Sequence, residues 1–78
     1  MNKITVINTE YITASRTLEI IALENSRRRR CVFVYNYEGT HFRFFDTLRS
    51  VFEFFEKGQE PSHSFNSEPE LDSYLKYY

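Results

Sequence analysis

The stretch CVFVYNYEGTHFRFFD, residues 31–46, reads as two strands folded back on each other, and the rest of the chain is organised around it. Residues 31–37 are mostly β-branched and aromatic, types that suit a pleated, half-buried surface. Glu38-Gly39 supplies a two-residue turn, with a glycine able to take a positive φ. Such a turn sets Tyr37 opposite Thr40, Tyr35 opposite Phe42, Phe33 opposite Phe44 and Cys31 opposite Asp46. Side chains alternate across a strand, so one face is expected to carry Phe33, Tyr35, Tyr37, Phe42 and Phe44. The other is expected to carry Val32, Val34, Asn36, His41, Arg43 and Phe45.

Upstream, residues 3–12 (KITVINTEYI) are rich in β-branched side chains and read as an edge strand. Residues 17–24 (TLEIIALE) also suit a helix, and Ile20-Ile21 with the strand that follows turns the reading toward β. With a turn at Asn25-Ser26, Leu18, Ile20 and Ala22 join the aromatic face. Thr17, Glu19, Ile21, Leu23, Arg28 and Arg30 then join the other. A longer loop through the arginines is the alternative connection.

Downstream, the pattern changes from period 2 to the helical period. Leu48, Val51, Phe52 and Phe55 fall at i, i+3, i+4 and i+7 behind a cap at Asp46 or Thr47, and Gly58 is a natural stop. Residues 59–66 (QEPSHSFN) read as a Pro/Ser loop. Ser67-Glu68-Pro69-Glu70 has the form of a capping box, and Leu71, Tyr74, Leu75 and Tyr78 repeat the helical stripe. Strands followed by helices argue for one α+β domain over residues 1–78. The expected architecture is a small antiparallel sheet of three to four N-terminal strands with two C-terminal helices packed on one face. The aromatic face is the expected covered side, with Phe33, Phe44, Val51, Phe52, Phe55, Leu71 and Leu75 as its core.

With 78 residues, the chain buries only about 60–65% of its unfolded surface, so its core has to be dense. One cysteine, Cys31, rules out an intrachain disulfide and a cysteine-based zinc site. The eight Phe and six Tyr are therefore the main source of apolar area. The net charge of −1 gives no global attraction to nucleic acid or anionic membrane. No basic flank with an apolar run marks a signal peptide, and no apolar run is long enough to span a bilayer, so a cytoplasmic protein is expected.

Little in the sequence supports catalysis. Ser62-His63-Ser64 places hydroxyls beside an imidazole, but adjacency in a loop is not a triad. Cys31 and His41 fall on opposite faces of the expected hairpin, and a buried structural thiol is the expected role of Cys31. No spacing of Cys, His or carboxylates suggests a metal, and with two glycines there is no phosphate-cradling loop, so no cofactor is expected.

Two features point to partners. Arg27, Arg28, Arg29 and Arg30 have the chemistry for phosphate contacts, but a solvated hairpin end paired to Glu19, Glu24 or the acidic helices is the favoured reading, since the net charge is not basic. The second face of the hairpin combines apolar Val32, Val34 and Phe45 with a rim of Arg28, Arg30 and Arg43. These six residues are the expected partner-binding site, unless the N-terminal strand or the 59–66 loop folds over them. The reading is a non-catalytic protein-interaction module, an adapter, regulator or inhibitor, with a homodimer as one form. A nucleic-acid binder using Arg27–Arg30 is the alternative.

Overall fold

The alternating pattern of the first 45 residues folds into four antiparallel strands, and a fifth strand pairs outside them. The computed structural model describes residues 1–61 and 63–78. The elements are β1 (Lys3–Thr13), β2 (Arg16–Glu24), β3 (Arg29–Tyr37), β4 (His41–Phe45), α1 (Leu48–Lys57), β5 (His63–Phe65) and α2 (Glu68–Tyr77). The five strands form one sheet in the order β1-β2-β3-β4-β5, every pair antiparallel. The fold is the expected small α+β one, with one strand more than expected. That strand, β5, lies within the segment read as a Pro/Ser loop, and three residues are too few to show a period. It forms because β4 leaves an open edge, on which Phe65 settles opposite Phe42. Ser62, one of the hydroxyls considered for catalysis, lies outside the described residues.

The hairpin register differs from expectation by one residue. Pairing resumes at Tyr37 opposite His41, so the loop is Glu38, Gly39 and Thr40. Glu38 and Gly39 both take left-handed φ values of 58° and 72°, and the Gly39 N–H donates to Asn36 Oδ1 at 2.8 Å. Because the side-chain period is 2, this shift moves all of β4 to the opposite face. Phe42 and Phe44 join Val32 and Val34, whereas His41, Arg43 and Phe45 join Phe33, Tyr35 and Tyr37. The physical reason is burial. The expected register would set Arg43 and His41 among the valines, on the side that becomes wholly covered.

The β2–β3 pairing has the expected faces, with Leu18 opposite Tyr35, Ile20 opposite Phe33 and Ile21 opposite Val32. Its connection is the longer loop, residues 25–28, in which Asn25 Oδ1 accepts N–H bonds from Arg27 and Arg28. One side of the sheet, the Val face, thus carries Ile21, Leu23, Val32, Val34, Phe42 and Phe44. The other, the Tyr face, carries Ile20, Phe33, Tyr35, Tyr37, Arg43 and Phe45.

Each helix takes one face, rather than both sharing one. On the Val face, α2 buries Leu71 and Leu75 in a cluster with all six apolar residues named there. On the Tyr face, Phe54 of α1 packs on Tyr35 and Phe45, with ring centroids 5.5 and 5.4 Å apart. The division follows from the register, since each face offers one helix an apolar bed. Of the residues expected in the core, Phe44, Val51, Leu71 and Leu75 are buried, Phe33 is half-buried, and Phe52 and Phe55 are exposed. The contact stripe of α1 runs along Val51 and Phe54 instead. At 100° per residue, Phe55, Leu48 and Phe52 stand progressively further round the helix from that stripe. Their exposures rise in the same order, 45%, 49% and 53%.

The ends of α1 follow local chemistry. Thr47 Oγ1 accepts the Ser50 N–H at 3.2 Å, and left-handed Gly58 ends the helix, its N–H donating to the Phe54 carbonyl at 3.1 Å and the Gln59 N–H to the Glu53 carbonyl at 3.3 Å. Ser67 stands at the α2 N-cap without a side-chain cap bond. Glu70 Oε2 instead accepts the N–H of Asn66, one residue before the position a capping box uses.

Candidate functional site

The alternation of β3 and the shifted register of β4 bring Tyr35, Tyr37, His41 and Arg43 together at one end of the Tyr face. Above them, α1 lays down Phe54 and Phe55. Phe55 meets Tyr35 nearly edge-on, at 5.2 Å and 84°, and meets Phe54 at 5.1 Å and 77°. These tilted geometries match the attraction between a ring's positive edge and another's negative face. Between Phe54 and the strands lies a cleft of about 270 Å³ lined by Tyr35, Tyr37, His41, Arg43 and Phe54.

Two cations border the cleft. The Arg16 guanidinium lies over the Tyr37 ring, 4.8 Å from its centroid, and Arg43 Nε donates to Glu60 Oε2 at 3.2 Å. His41 is exposed, its ring 6.0 Å from that of Tyr37 and its Nδ1 within 3.0 Å of Thr40 Oγ1. Tyr35, Tyr37, Arg43 and Phe54 are all half-buried. Beside the cleft, the exposed side of α1 presents Leu48, Phe52 and Phe55. The whole is an apolar, aromatic surface with arginines at its margin, able to bury side chains of a partner and to stack on planar groups.

The residues expected to bind a partner are not assembled into one surface. Val32 and Val34 are completely buried beneath α2, and Phe45 is buried on the opposite face against Phe54. The cover for the valines comes from Leu71 and Leu75 of α2, with Ile4 of the N-terminal strand and Phe65 of β5 packed against the same cluster. Arg28 lies exposed in the β2–β3 loop, Arg30 lies over the Tyr78 ring at 4.7 Å, and Arg43 belongs to the aromatic cleft. Arg29, the remaining member of the run with Arg27, sits 3.8 Å from Glu24 in an exposed ion pair. Cys31 is exposed rather than buried. It also shares the Tyr face with His41, but it lies six positions before Tyr37, the partner of His41, about 20 Å along the strand.

Sequence reasoning missed the cleft because Tyr35, Tyr37 and Phe54 were assigned to the covered core or to no stripe at all. The signal was present in Phe54, which breaks the polar side of an otherwise amphipathic α1. No helix among the described residues is long and apolar enough to cross a membrane. No protein family matches the chain, and no curated protein or solved structure matches it either.

Proposed function

We propose that this chain is a small non-catalytic interaction module that holds a segment of another protein in the aromatic cleft between α1 and the Tyr face. The observation that carries this reading is the continuity of exposed Phe52, Phe55 and Leu48 with the half-open ring cluster of Tyr35, Tyr37 and Phe54. Each large apolar side chain moved from water into a contact gains roughly 1.5–3 kcal/mol when fully covered. Tyr and Arg are also the residue types that dominate the energetics of protein interfaces. Cys31 and His41, one nucleophile–base pair that the sequence offered, lie about 20 Å apart along the sheet, which supports a non-catalytic reading. Adapter, regulator and inhibitor are all roles for such a module.

The arginine run does not compete well with this site. The Arg29 guanidinium is paired with Glu24 and that of Arg30 lies over the Tyr78 ring, while Arg27 and Arg28 lie in the β2–β3 loop. Affinity capture from the native host, run with the parent and with Tyr37→Ser and Phe55→Ser variants, tests the proposal. A protein retained by the parent in high salt and lost by both folded variants is the expected result. Retention of the same proteins by all three overturns the cleft as the binding site. Capture of nucleic acid that is lost in high salt would transfer the function to the arginines.

A further inference from the structure

The first strand is the longest in the sheet and lies at its edge, so its outer backbone groups face no strand among the described residues. Edge strands of this kind template pairing with another chain unless they are short, charged or covered. Here Val6, Ile7 and Ile12 are about half exposed and Tyr11 is 77% exposed. The pairing with β2 skips Ile7 and Ile12, which bulge out of the ladder. The first bulge has a specific consequence. It offsets the alternation by one residue, so that Lys3, Thr5, Asn8 and Glu10 all share the Tyr face, while Val6 and Thr9 share the Val face.

We infer that β1 is a self-pairing edge, which a second copy of this chain extends antiparallel across a two-fold axis perpendicular to the sheet. Counting ladder positions and leaving out the bulged Ile7, one register sets Lys3 opposite Glu10 of the second copy, and Glu10 opposite its Lys3. The same register sets Thr5 opposite Asn8 and places Val6 against Val6 on the axis. Lys3 and Glu10 are the only charged residues of β1, and neither takes part in an ion pair among the described residues. Glu24, the β2 neighbour of Lys3, is engaged by Arg29 instead. Charge complementarity, face alternation and burial of an exposed valine therefore select the same register, and the two-fold doubles each contact. The product is a continuous ten-stranded sheet. The aromatic cleft lies at the end of the Tyr face formed by β3 and β4, away from this edge.

The test is sedimentation of the purified full chain over a micromolar concentration series, with charge reversals at the two ends of the register. The parent is expected to be a dimer. Lys3→Glu and Glu10→Lys each replace two attractive pairs by two repulsive ones and should weaken the dimer at least about tenfold. The Lys3→Glu/Glu10→Lys double variant should regain parental affinity, and an equimolar mixture of the two single variants should form a heterodimer. Val6→Lys, which sets two ammonium groups together near the axis, should be monomeric at concentrations where the parent is a dimer. A monomeric parent overturns the inference. So does a dimer indifferent to the charge reversals, or one lost in the Tyr37→Ser variant, which would move self-association to the cleft. Protection of β1 amides only on addition of a different protein would overturn the second copy as occupant.

Discussion

The side-chain amide of Asn2 donates to the Leu75 carbonyl at 2.9 Å, tying together two residues 73 positions apart. The main-chain N–H of Asn2 also donates to the Lys76 carbonyl at 2.8 Å, and Asn2 Oδ1 accepts from Asn25 Nδ2 at 2.9 Å. The last carbonyls of a helix have no intrahelical donor, and α2 has no glycine to close its end. The chain just before β1 therefore caps the helix that covers the Val face. Asn2→Ala is expected to destabilise the fold by about 1–2 kcal/mol. Amide exchange should show the last turn of α2 opening before the sheet does; uniform loss of protection would mean the bond is incidental to docking.

Core substitutions separate the two faces of the fold. Val34 is fully buried, so Val34→Glu sets an unpaired carboxylate among apolar side chains and should unfold the chain at neutral pH. Phe44→Ala should cost about 3–5 kcal/mol, as expected for a buried aromatic residue. Phe52→Ala should lower stability by about 1 kcal/mol or less, since more than half of its surface is already in water. Denaturant midpoints of the three variants rank them directly, and the reverse order for Phe44 and Phe52 would mean α1 is turned about its axis.

The two helix starts should respond differently to the same change. Thr47→Ala removes an observed bond to the Ser50 N–H and should cost about 1 kcal/mol. Ser67→Ala removes no cap bond and should cost no more than a few tenths, about the effect of glycine at a cap. Thermal melts of both variants check the contrast, and a larger loss at Ser67 would show a cap forming in solution.

Glu19 should make stability depend on pH in a direction opposite to most carboxylates. It lies on the Val face, and with Glu68 and Asp72 it lines a cavity of about 130 Å³ under α2. Burial first, then repulsion from Glu68 and Asp72, raises its pKa above the ordinary 4.5. The folded state thus favours the protonated form more than the unfolded state does. Stability from this group is full below the ordinary carboxylate range and is lost as pH rises through the raised folded value. Glu19→Gln should accordingly raise the melting temperature at neutral pH and leave it nearly unchanged in acid. An equal or lower melting temperature for the variant at neutral pH would show that solvent already relieves the charge.

Local pattern was enough for most elements. The alternating, β-branched runs place β1 to β4 within two residues of their observed bounds. Thr47 and Gly58 bracket α1 because capping is a matter of nearest neighbours. Ser67 shows the limit of the same logic, since Glu70 had two N–H groups within reach and bonded the one on Asn66. The candidate site was legible only in its materials, the aromatic residues, and not in its assembly.

The sequence by itself determined that four strands precede the first helix, where those strands and the two helices begin to within two residues, and that each of those strands has one apolar and one mixed side. Only the tertiary structure decided which sides meet. A single residue, Thr40, is outside the ladder rather than in it, and that choice exchanges Phe42 and Phe44 for His41, Arg43 and Phe45 on both faces at once. The turn itself tolerates either register. What selects one is the burial of two phenylalanines with Val32 and Val34 under Leu71 and Leu75, residues nearly thirty positions further along the chain. A contact between segments so far apart leaves no trace in the period of either, so the helix on each face, the exposure of Phe52 and the cleft above Tyr35 were settled by packing alone.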